Sequence, residues 1–483
     1  MYPSNMSSYF IGIDVGTQGA RVALVDAEGH LVGSCEQGFA LNSHSLQEQS
    51  PEGWWEACRQ SLGQLLAEVN ADIRASIASV AVTSTSGTVI PLGNNHEPLH
   101  PAIMYSDKRS EKEAGQCRRA ALAAGQQGYT GFNSSSGLPK MVWFARHFPQ
   151  KDRQTAGWAH AADYITGKLS GRWGVTDYTC ALKSGYDIQN KRWPKYLYED
   201  LPLTKKSLPQ VVPAGTTVGS LQRELAEEFG LPEIAVVAGM TDGCASQISA
   251  GAVRPGDWNT TIGTTLVIKG VTKQPVVDPL DRLYNHRHPM GWWLPGGASN
   301  TGADWVSRDY SDDLQRLNKQ AKDLIPTGHL AYPLRREGER FPFIAPEARG
   351  FTPGGLGHAE QFTANLEGVA YIERYAFDVI EDLSKEKINA VYTAGGGSES
   401  EVWLKIRSNV LGLPVVKMKY TTGAVGAAVL AASQTYYSNL VDAVSNMTQT
   451  EKKIVPSSPL VEKYEASYHQ FLDVLGRKEY ITK

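Results

Sequence analysis

The sequence predicts an α/β protein that is built from two duplicated domains. Short apolar strands alternate with amphipathic helices along most of the 483 residues, as expected for layered α/β domains. Each half also begins with a similar hairpin around a Gly-Thr turn. The length fits two or three domains, and a chain of this size buries a core without disulfides or a structural metal.

Composition and charge argue against several classes of protein. The 47 basic and 50 acidic residues give a net charge of -3, without the basic excess typical of nucleic-acid or membrane-surface binding. No apolar run approaches the length of a membrane span, and the N-terminus lacks a signal-peptide pattern. We therefore expect a cytoplasmic protein with neither nucleic acid nor membrane as a partner. The five cysteines are far apart and none is CxxC-spaced, which favours reduced thiols: Cys35, Cys58, Cys117, Cys180 and Cys244.

The first hairpin runs from Tyr9 to Asp26. Its first strand ends at Asp14, and the turn Gly16-Thr17-Gln18 leads into the second strand. Glycine at position 16 allows backbone N–H groups to approach an anion closely. Asp14 is well placed to hold a hydrated Mg²⁺, as phosphoryl transfer requires. The pattern predicts a phosphate-binding turn with Asp14 as metal ligand; an ordinary hairpin is the alternative interpretation.

Two further glycine turns follow in the second half. Gly263-Thr264-Thr265 joins two apolar strands and offers a second set of amides and hydroxyls. The turn Gly395-Gly396-Gly397 follows a strand at 388–394 and precedes a helix at 401–411. Glycines between a strand and a helix N-terminus suit the phosphates of a nucleotide. One such turn is a weak signal, but three in this order indicate a nucleotide site.

Asp242 is the candidate general base. The strand at 235–240 ends just before it, and small residues follow it. A carboxylate in this place can accept the proton of an attacking hydroxyl in phosphoryl transfer. Asp is equally common as a helix N-cap, so position alone leaves both interpretations open. Together with the three glycine turns, we favour the base.

The remaining pattern predicts the elements and domain limits. A helix over 51–69 begins with Ser50 as N-cap and Pro51 at its first position, and a second helix covers 365–383. The predicted domains are 9–255 and 256–439, followed by a partly helical tail at 440–483.

These motifs together resemble those of the FGGY carbohydrate kinases, in the actin and sugar-kinase superfamily. The resemblance runs in family order from about Tyr9 to Ser433. Further segments support it: Ala102 to Arg109 with its Asp-x-Arg turn, Leu138 to Trp143, Ala162 to Gly171, Gly338-Glu339-Arg340-Phe341-Pro342 with Ala348-Arg349-Gly350, and Gly423 to Ala428.

The resemblance implies duplicated ribonuclease H-like (actin-like ATPase) domains with a nucleotide and sugar cleft between them. It implies ATP and Mg²⁺ as cofactors and a small sugar or polyol as substrate. Asp242 matches the catalytic Asp that activates the substrate hydroxyl, and Asp14 matches the carboxylate near Mg²⁺ and substrate. The positions matching the nucleotide site are Gly16, Thr17, Gln18, Gly263, Thr264, Thr265, Gly302, Gly396, Gly397 and Ser400.

Substrate identity depends on a smaller resemblance. The segment Thr85-Ser86-Gly87-Thr88 looks like that of a branch whose members act as D-ribulose kinases, and Ala181 to Tyr186 matches a further segment of that branch. Ser86, Gly87, Asp107 and Lys183 are the predicted substrate residues, together with Asp14 and Asp242. Short hydroxyls suit a ketopentose, whereas Lys183 is equally well explained as a solvated lysine. D-xylulose, or another polyol, is the alternative substrate.

Two departures from the family pattern affect the nucleotide side. Lys405 to Asn409 replaces the usual Gln-x-x-Ala-Asp, and Thr421-Thr422 replaces the usual Glu before the Gly-Ala helix. A sugar-independent actin-like ATPase or assembly protein, and a sugar-binding protein with poor turnover, are the competing hypotheses. The sequence is compatible with either a monomer or a homodimer.

Overall fold

The computed structural model describes residues 8–126 and 128–481, which form two compact units. The first contains residues 8–249, His286–Gly291 and Tyr420–Gln449. The second contains Ala250–Asn285, Trp292–Lys419 and residues 450–481. Each unit has its own large β-sheet, so the predicted division into two α/β domains is confirmed.

The first sheet has six strands in the order β5-β6-β4-β1-β2-β3. Its strands are β1 (Tyr9–Val15), β2 (Gly19–Asp26), β3 (Leu31–Gly38), β4 (Ile77–Ser84), β5 (Thr217–Ser220) and β6 (Ala235–Thr241). Strands β1, β2 and β3 form an antiparallel meander, while β4 and β6 run parallel to β1. Parallel strands end at the same edge, and the register pairs Val15 with Ser84 and Ser84 with Thr241.

The second sheet has seven strands in the order β9-β10-β8-β7-β11-β12-β13. Its strands are β7 (Asp257–Ile262), β8 (Leu266–Gly270), β9 (Tyr284–Arg287), β10 (Trp293–Ser299), β11 (Ala390–Ala394), β12 (Val415–Met418) and β13 (Thr450–Ile454). Its central strand again begins an antiparallel meander on one side and pairs with a parallel strand on the other. An antiparallel strand closes the far edge in both sheets. The shared order is the duplication that the two hairpins predicted.

Helices complete the layers. Those of eight or more residues are α1 (Pro51–Ala67), α2 (Glu111–Ala123), α3 (Gly137–His147), α4 (Ala161–Ser170), α5 (Asp242–Ser249), α6 (Leu314–Leu324), α7 (His358–Ser384), α8 (Glu401–Leu411), α9 (Gly423–Thr435), α10 (Leu440–Met447) and α11 (Ser458–Arg477). Shorter α-helices are Ala71–Ala75, Pro149–Asp152, Tyr178–Ala181, Tyr196–Glu199, Arg223–Phe229 and Asp304–Asp309. Short 3₁₀ turns are Leu182–Ser184, Lys205–Ser207, Ser311–Asp313 and Gly396–Glu399. Two-residue and three-residue ladders pair Glu48–Gln49 with Ala102–Ile103, Ile90–Leu92 with Gly157–Ala159, and Val175–Asp177 with Gln210–Val212.

Both predicted helices are present, and the largest error is at one start. Helix α1 begins at Pro51, and the hydroxyl of its N-cap Ser50 accepts a hydrogen bond from the Gly53 N–H at 3.1 Å. Helix α7 begins at His358, seven residues before the predicted start, because the polar first turn hides its helical period.

The domain limits differ from the predicted ranges of 9–255, 256–439 and 440–483. Helices α9 and α10 belong to the first unit although they come late in the chain. Helix α9 packs on β1 at Gly12, where a β-carbon would lie 1.8 Å from the Ala424 carbonyl oxygen. The predicted tail is divided, because α11 packs its aromatic stripe into the core of the second unit.

The cysteines and helices bear on two further expectations. Each of the five cysteines lies in the described part and none forms a disulfide, as predicted. Burial raises the pKa of the Cys117 thiol to about 12. Within 8–126 and 128–481, no helix combines the length and the apolar character needed to span a membrane.

Buried His288 predicts a pH dependence of stability. Its side chain is 1% exposed, and its Nδ1 accepts the Met290 N–H at 3.0 Å, which fixes the neutral tautomer. Burial lowers the pKa of His288 to about 3. Folding below about pH 6.5 must therefore release the proton that this histidine binds in the unfolded chain. We expect the unfolding free energy to fall by about 2 kcal/mol between pH 7 and pH 5 through this group. His288→Gln should remove that portion of the decline in urea unfolding; an unchanged pH dependence would contradict the assignment.

Candidate functional site

Asp14 lies at the edge of the first sheet where the parallel strands end. Its carboxylate lies against the start of α9, where a β-carbon on Gly423 would approach its Oδ2 to 2.7 Å. Its Oδ1 is buried and has no hydrogen-bond partner among the residues that the structure describes. Burial, followed by the negative charge of Asp242, raises the pKa of Asp14 to about 7. An unsatisfied buried carboxylate oxygen is costly, which indicates that this atom has a partner in the working protein.

The first glycine turn and Asp14 line one cavity of about 490 Å³. The turn is closed by the Gly16 N–H, which donates to the Gly19 carbonyl at 3.0 Å. Thr17 Oγ1 lies 3.3 Å from the Tyr105 hydroxyl, and Gln49 donates to the Thr17 carbonyl at 3.0 Å. The cavity lining thus includes the four predicted residues of this hairpin: Asp14, Gly16, Thr17 and Gln18.

Asp242 is the first residue of α5, directly after β6. Its Oδ1 accepts the Gly243 N–H at 2.6 Å, so the carboxylate lies at the start of α5. The preceding Thr241 N–H donates to Thr179 Oγ1 at 2.8 Å, and Thr179 is in turn held by Asp177. Because its charge raises the pKa of Asp14, Asp242 belongs to the same electrostatic site. The structure therefore brings the two predicted carboxylates together.

Ser86 and Gly87 follow β4, which lies between β1 and β6. The Ser86 Oγ is buried, and no group within 8–126 and 128–481 forms a hydrogen bond with it. Gly87 adopts φ +86°, and a β-carbon there would lie 2.2 Å from the Ser135 carbonyl oxygen, so both conformation and space require glycine. Thr88 Oγ1 accepts the Tyr105 N–H at 3.1 Å, which links this loop to the cavity of the first glycine turn.

Asp107 is buried, and its carboxylate is engaged by Arg109. The Arg109 guanidinium donates to both Asp107 oxygens at 2.7 to 3.1 Å and also reaches Glu48 at 2.7 Å. Lys140, itself fully buried, donates to the Asp107 carbonyl at 3.1 Å. The structure thus shows how the Asp-x-Arg turn is held, while direct substrate binding by Asp107 stays a prediction.

Lys183 lies in the 3₁₀ turn Leu182–Ser184. The turn is held by His160, whose Nε2 lies 2.9 Å from Ser184 Oγ and whose Nδ1 lies 2.7 Å from Asp163. Burial lowers the pKa of Lys140 to about 8, and the positive charge of Lys183 adds to this effect. Lys183 therefore lies near the ammonium group beside Asp107, and it stays a predicted substrate residue.

In the second unit, the turn after β7 lies against the turn after β10. A β-carbon on Gly302 would come within 2.6 Å of the Gly263 and Thr264 carbonyl oxygens. The Ala303 N–H donates to the Gly263 carbonyl at 2.7 Å. Only glycine at position 302 permits this approach, so the predicted residues Gly302 and Gly263 to Thr265 form one local structure.

The third glycine turn packs against the end of strand β7. Gly395 has φ +82°, and β-carbons on Gly395 and Gly397 would contact Ile262 at 2.7 and 2.8 Å. Around Gly396, by contrast, there is open space. Ser400 is the N-cap of α8, accepting the Trp403 N–H at 3.3 Å and bonding Asn318, so its hydroxyl already has partners.

The departures from the family pattern have structural explanations. Arg407 in α8 is fully buried and donates to both carboxylate oxygens of Glu373 at 2.7 Å. It also donates to Thr393 Oγ1 at 2.6 Å, two residues before Gly395. Thr422 is the N-cap of α9, accepting the Val425 N–H at 3.3 Å.

Sequence reasoning missed part of the first-unit cavity wall. The missed residues are Tyr105, within the segment Ala102 to Arg109, and the Arg21–Glu36 pair, whose atoms lie 2.5 Å apart. Arg21 lowers the pKa of Asp14 and so partly opposes Asp242. The available signal was an arginine on a strand directly after the glycine turn.

Known families and proteins match this chain along its length. The N-terminal and C-terminal domain models of the FGGY family of carbohydrate kinases match residues 9–249 and 258–435. The gluconokinase of Bacillus licheniformis is 24% identical, covering 97% of this chain and 96% of that protein. The xylulose kinase of Bacillus subtilis (strain 168) is 25% identical, covering 96% of both. The solved xylulose kinase from Rhodospirillum rubrum is 26% identical, with a TM-score of 0.84 and coverage of 97% and 98%.

Proposed function

This chain belongs to the FGGY family of carbohydrate kinases and is thus a phosphotransferase with an alcohol group as acceptor, and we propose that it uses MgATP to phosphorylate a ketopentose. The proposed substrate is D-ribulose, phosphorylated on a terminal hydroxyl. One observation supports the proposal above others: the two carboxylates Asp14 and Asp242 share one edge of the first sheet, with the loop after β4 between them.

We assign Asp242 as the general base. It accepts the proton as the terminal oxygen of the sugar attacks the γ-phosphorus of ATP, and the bond from that phosphorus to the bridging oxygen breaks as ADP leaves. The Gly243 N–H already bonds one carboxylate oxygen and orients the group. Positioning of this kind supplies much of the catalysis in phosphoryl transfer.

Asp14 fits the role of a Mg²⁺ ligand. Its buried Oδ1 has no partner in the described part of the chain, and its proximity to Asp242 concentrates negative charge that a divalent cation offsets. When bound, the ion supplies charge neutralisation to the phosphates of ATP. In the first unit, the backbone of Gly16 to Gln18 is the proposed phosphate contact. In the second unit, the turns at Gly263, Gly302 and Gly395 to Gly397 are the proposed nucleotide contacts.

The loop after β4 is the proposed specificity element for the sugar. Its Ser86 hydroxyl is buried and is not bonded by any residue that the structure describes, which leaves it able to bond a sugar hydroxyl without adding bulk. The Thr-Ser-Gly-Thr resemblance favours D-ribulose. Relatives named xylulose kinase and gluconokinase make D-xylulose the first alternative and gluconate the second.

An ADP-release assay with MgATP tests the proposal against a panel of D-ribulose, D-xylulose, L-ribulose, gluconate, ribitol, glycerol and no sugar. We expect D-ribulose to give the highest kcat/KM. A higher value for D-xylulose or gluconate would keep the kinase and replace the substrate. Equal ADP release with and without every sugar would instead favour an actin-like ATPase or assembly protein.

Ser86→Ala is expected to raise the KM for the sugar about tenfold through loss of one hydrogen bond, with the KM for ATP unchanged. The unfolding free energy should stay the same or rise, because the substitution removes a buried hydroxyl without a partner. Steady-state kinetics and urea unfolding give the two readouts.

Ser79→Ala, on strand β4 that precedes this loop, is the matched control. Its hydroxyl donates to the Ala431 carbonyl at 3.0 Å, so its loss should lower stability by about 1 kcal/mol and leave the sugar KM unchanged. A sugar KM that responds equally to both substitutions would argue against a direct role for Ser86.

A further inference from the structure

Glu339 is a buried carboxylate, 3% exposed, within the Gly-Glu-Arg-Phe-Pro segment. Its Oε2 accepts three hydroxyl donors: Ser299 at 2.8 Å, Thr301 at 2.9 Å and Tyr332 at 3.0 Å. Its Oε1 accepts the N–H groups of Asn300 at 2.7 Å and Arg340 at 3.0 Å. Five hydrogen-bond donors compensate the negative charge of this buried carboxylate and hold it in one position.

Three of these donors come from the consecutive residues Ser299 to Thr301, at the end of β10. Asn300 also donates from its side chain to the Gly338 carbonyl at 2.9 Å, which attaches the same residues to the same segment. Glu339 is held in turn by reciprocal backbone bonds to Ala345 at 2.8 and 2.9 Å. The segment therefore forms a fixed support for the turn that follows β10.

That turn carries Gly302, which contacts the glycine turn after β7. The Gly302 backbone lies so close to Gly263 and Thr264 that no side chain fits between them, and Ala303 donates to Gly263. A shift in Ser299 to Thr301 is thus transmitted to Gly263 through one residue. The positions of the amides and hydroxyls in the Gly263 turn therefore depend on the adjacent turn that carries Gly302.

We infer that Glu339 is a positioning residue for the nucleotide site, setting the turns at Gly302 and Gly263 to which ATP binds. This rests on the proposed function only for ATP binding at these turns, and not on the identity of the sugar. Glu339 itself touches neither ATP nor sugar in this assignment. Its effect should appear in affinity for the nucleotide.

Glu367 in α7 provides a matched control. It is also a fully buried carboxylate of the second unit, and it accepts bonds from Thr327 N–H at 3.0 Å, Thr327 Oγ1 and the Tyr464 hydroxyl at 2.9 Å. It forms none of these bonds with the glycine turns. Substitutions at both positions remove a buried acceptor of hydroxyl and amide donors, but only Glu339 supports the nucleotide turns.

The test measures ATP binding to the full chain by calorimetry, without sugar, for alanine and glutamine variants at both positions. Glu339→Ala should weaken ATP binding by about tenfold or more. Glu339→Gln should recover most of it, because its carbonyl can keep the two N–H donors while its amide faces hydroxyls that can accept. Glu367→Ala and Glu367→Gln should leave ATP affinity unchanged, whatever they do to the melting temperature. The sugar KM should be unchanged in Glu339→Gln.

Equal ATP affinities at Glu339 and Glu367, with losses confined to melting temperature, would overturn the inference and leave Glu339 a structural residue. Failure of the wild-type chain to bind ATP would overturn it too, together with the ATP part of the proposed function. Failure of D-ribulose in the sugar panel would leave these binding results standing, so the two outcomes are distinguishable. If Glu339→Ala does not fold, Glu339→Gln against Glu367→Gln decides by the same comparison.

Discussion

Asp242→Asn is expected to lower kcat for sugar phosphorylation by about 10³-fold, because the amide cannot accept the proton of the attacking hydroxyl. ATP binding should stay within a few fold, since asparagine keeps an oxygen for the Gly243 N–H and the glycine turns are untouched. The substitution also removes the charge that raises the pKa of Asp14. The melting temperature should therefore stay the same or rise. ADP-release kinetics at saturating sugar, with calorimetry for ATP, measure both effects.

Asp72→Asn controls for the alternative role of Asp242 as an acid at a helix start. Asp72 lies exposed in the first turn of the helix Ala71–Ala75. Its negative charge interacts favourably with the helix dipole there, as the charge of Asp242 does at the start of α5. Its substitution should leave kcat unchanged. Retained turnover in Asp242→Asn, with a stability loss like that of Asp72→Asn, would assign Asp242 to the helix start alone.

Local sequence patterns were sufficient to predict the fold class because each domain begins with a recognisable hairpin. The hairpins at Gly16 and Gly263 are continuous in sequence, and strand alternation with helices follows each of them. Domain limits were less accessible, since α9 returns to β1 from more than 400 residues away. A contiguous range cannot express that packing, and Gly12 carries no sign in sequence of the helix that it accommodates.

The site was predictable where chemistry follows directly from position along a strand. Asp14 lies near the end of β1, Ser86 and Asp242 follow β4 and β6, and the register brings those strand ends together. Tyr105 was not predictable as a neighbour of Thr17, because 88 residues separate them. Ser299 and Thr301 lie about 40 positions before Glu339, to which they donate hydrogen bonds. The sequence therefore shows the Gly-Glu-Arg-Phe-Pro motif but not the partners of its glutamate.

Arg407 shows why the departures on the nucleotide side resisted interpretation. An arginine in an amphipathic helix is usually exposed, and here it is fully buried. Its partner Glu373 lies on α7, 34 positions earlier in the chain. Sequence reasoning identified an unusual segment but had no means to find the opposite charge.

Glu373→Leu is expected to destabilise the protein by about 3–5 kcal/mol, because it leaves the Arg407 guanidinium buried and without its counter-charge. Both side chains are fully buried and joined by two bonds of 2.7 Å. Arg407→Met should cost a similar amount by leaving the Glu373 carboxylate uncompensated. Urea unfolding of the two single variants measures these losses. A loss below about 1 kcal/mol in either would contradict them, since that is the scale of an exposed pair.

The double variant Glu373→Leu with Arg407→Met separates the cost of an unpaired charge from the value of the pair itself. Replacing a buried ion pair by apolar residues of similar volume is often neutral or stabilising, so the double variant should be more stable than either single one. Thr393 then loses its bond from Arg407 but keeps its hydroxyl bond to the Thr260 carbonyl at 3.1 Å, so the strand before Gly395 stays anchored. Additive losses in the double variant would instead mean that the two side chains contribute independently, which would contradict the assignment of the single-variant losses to an unpaired charge.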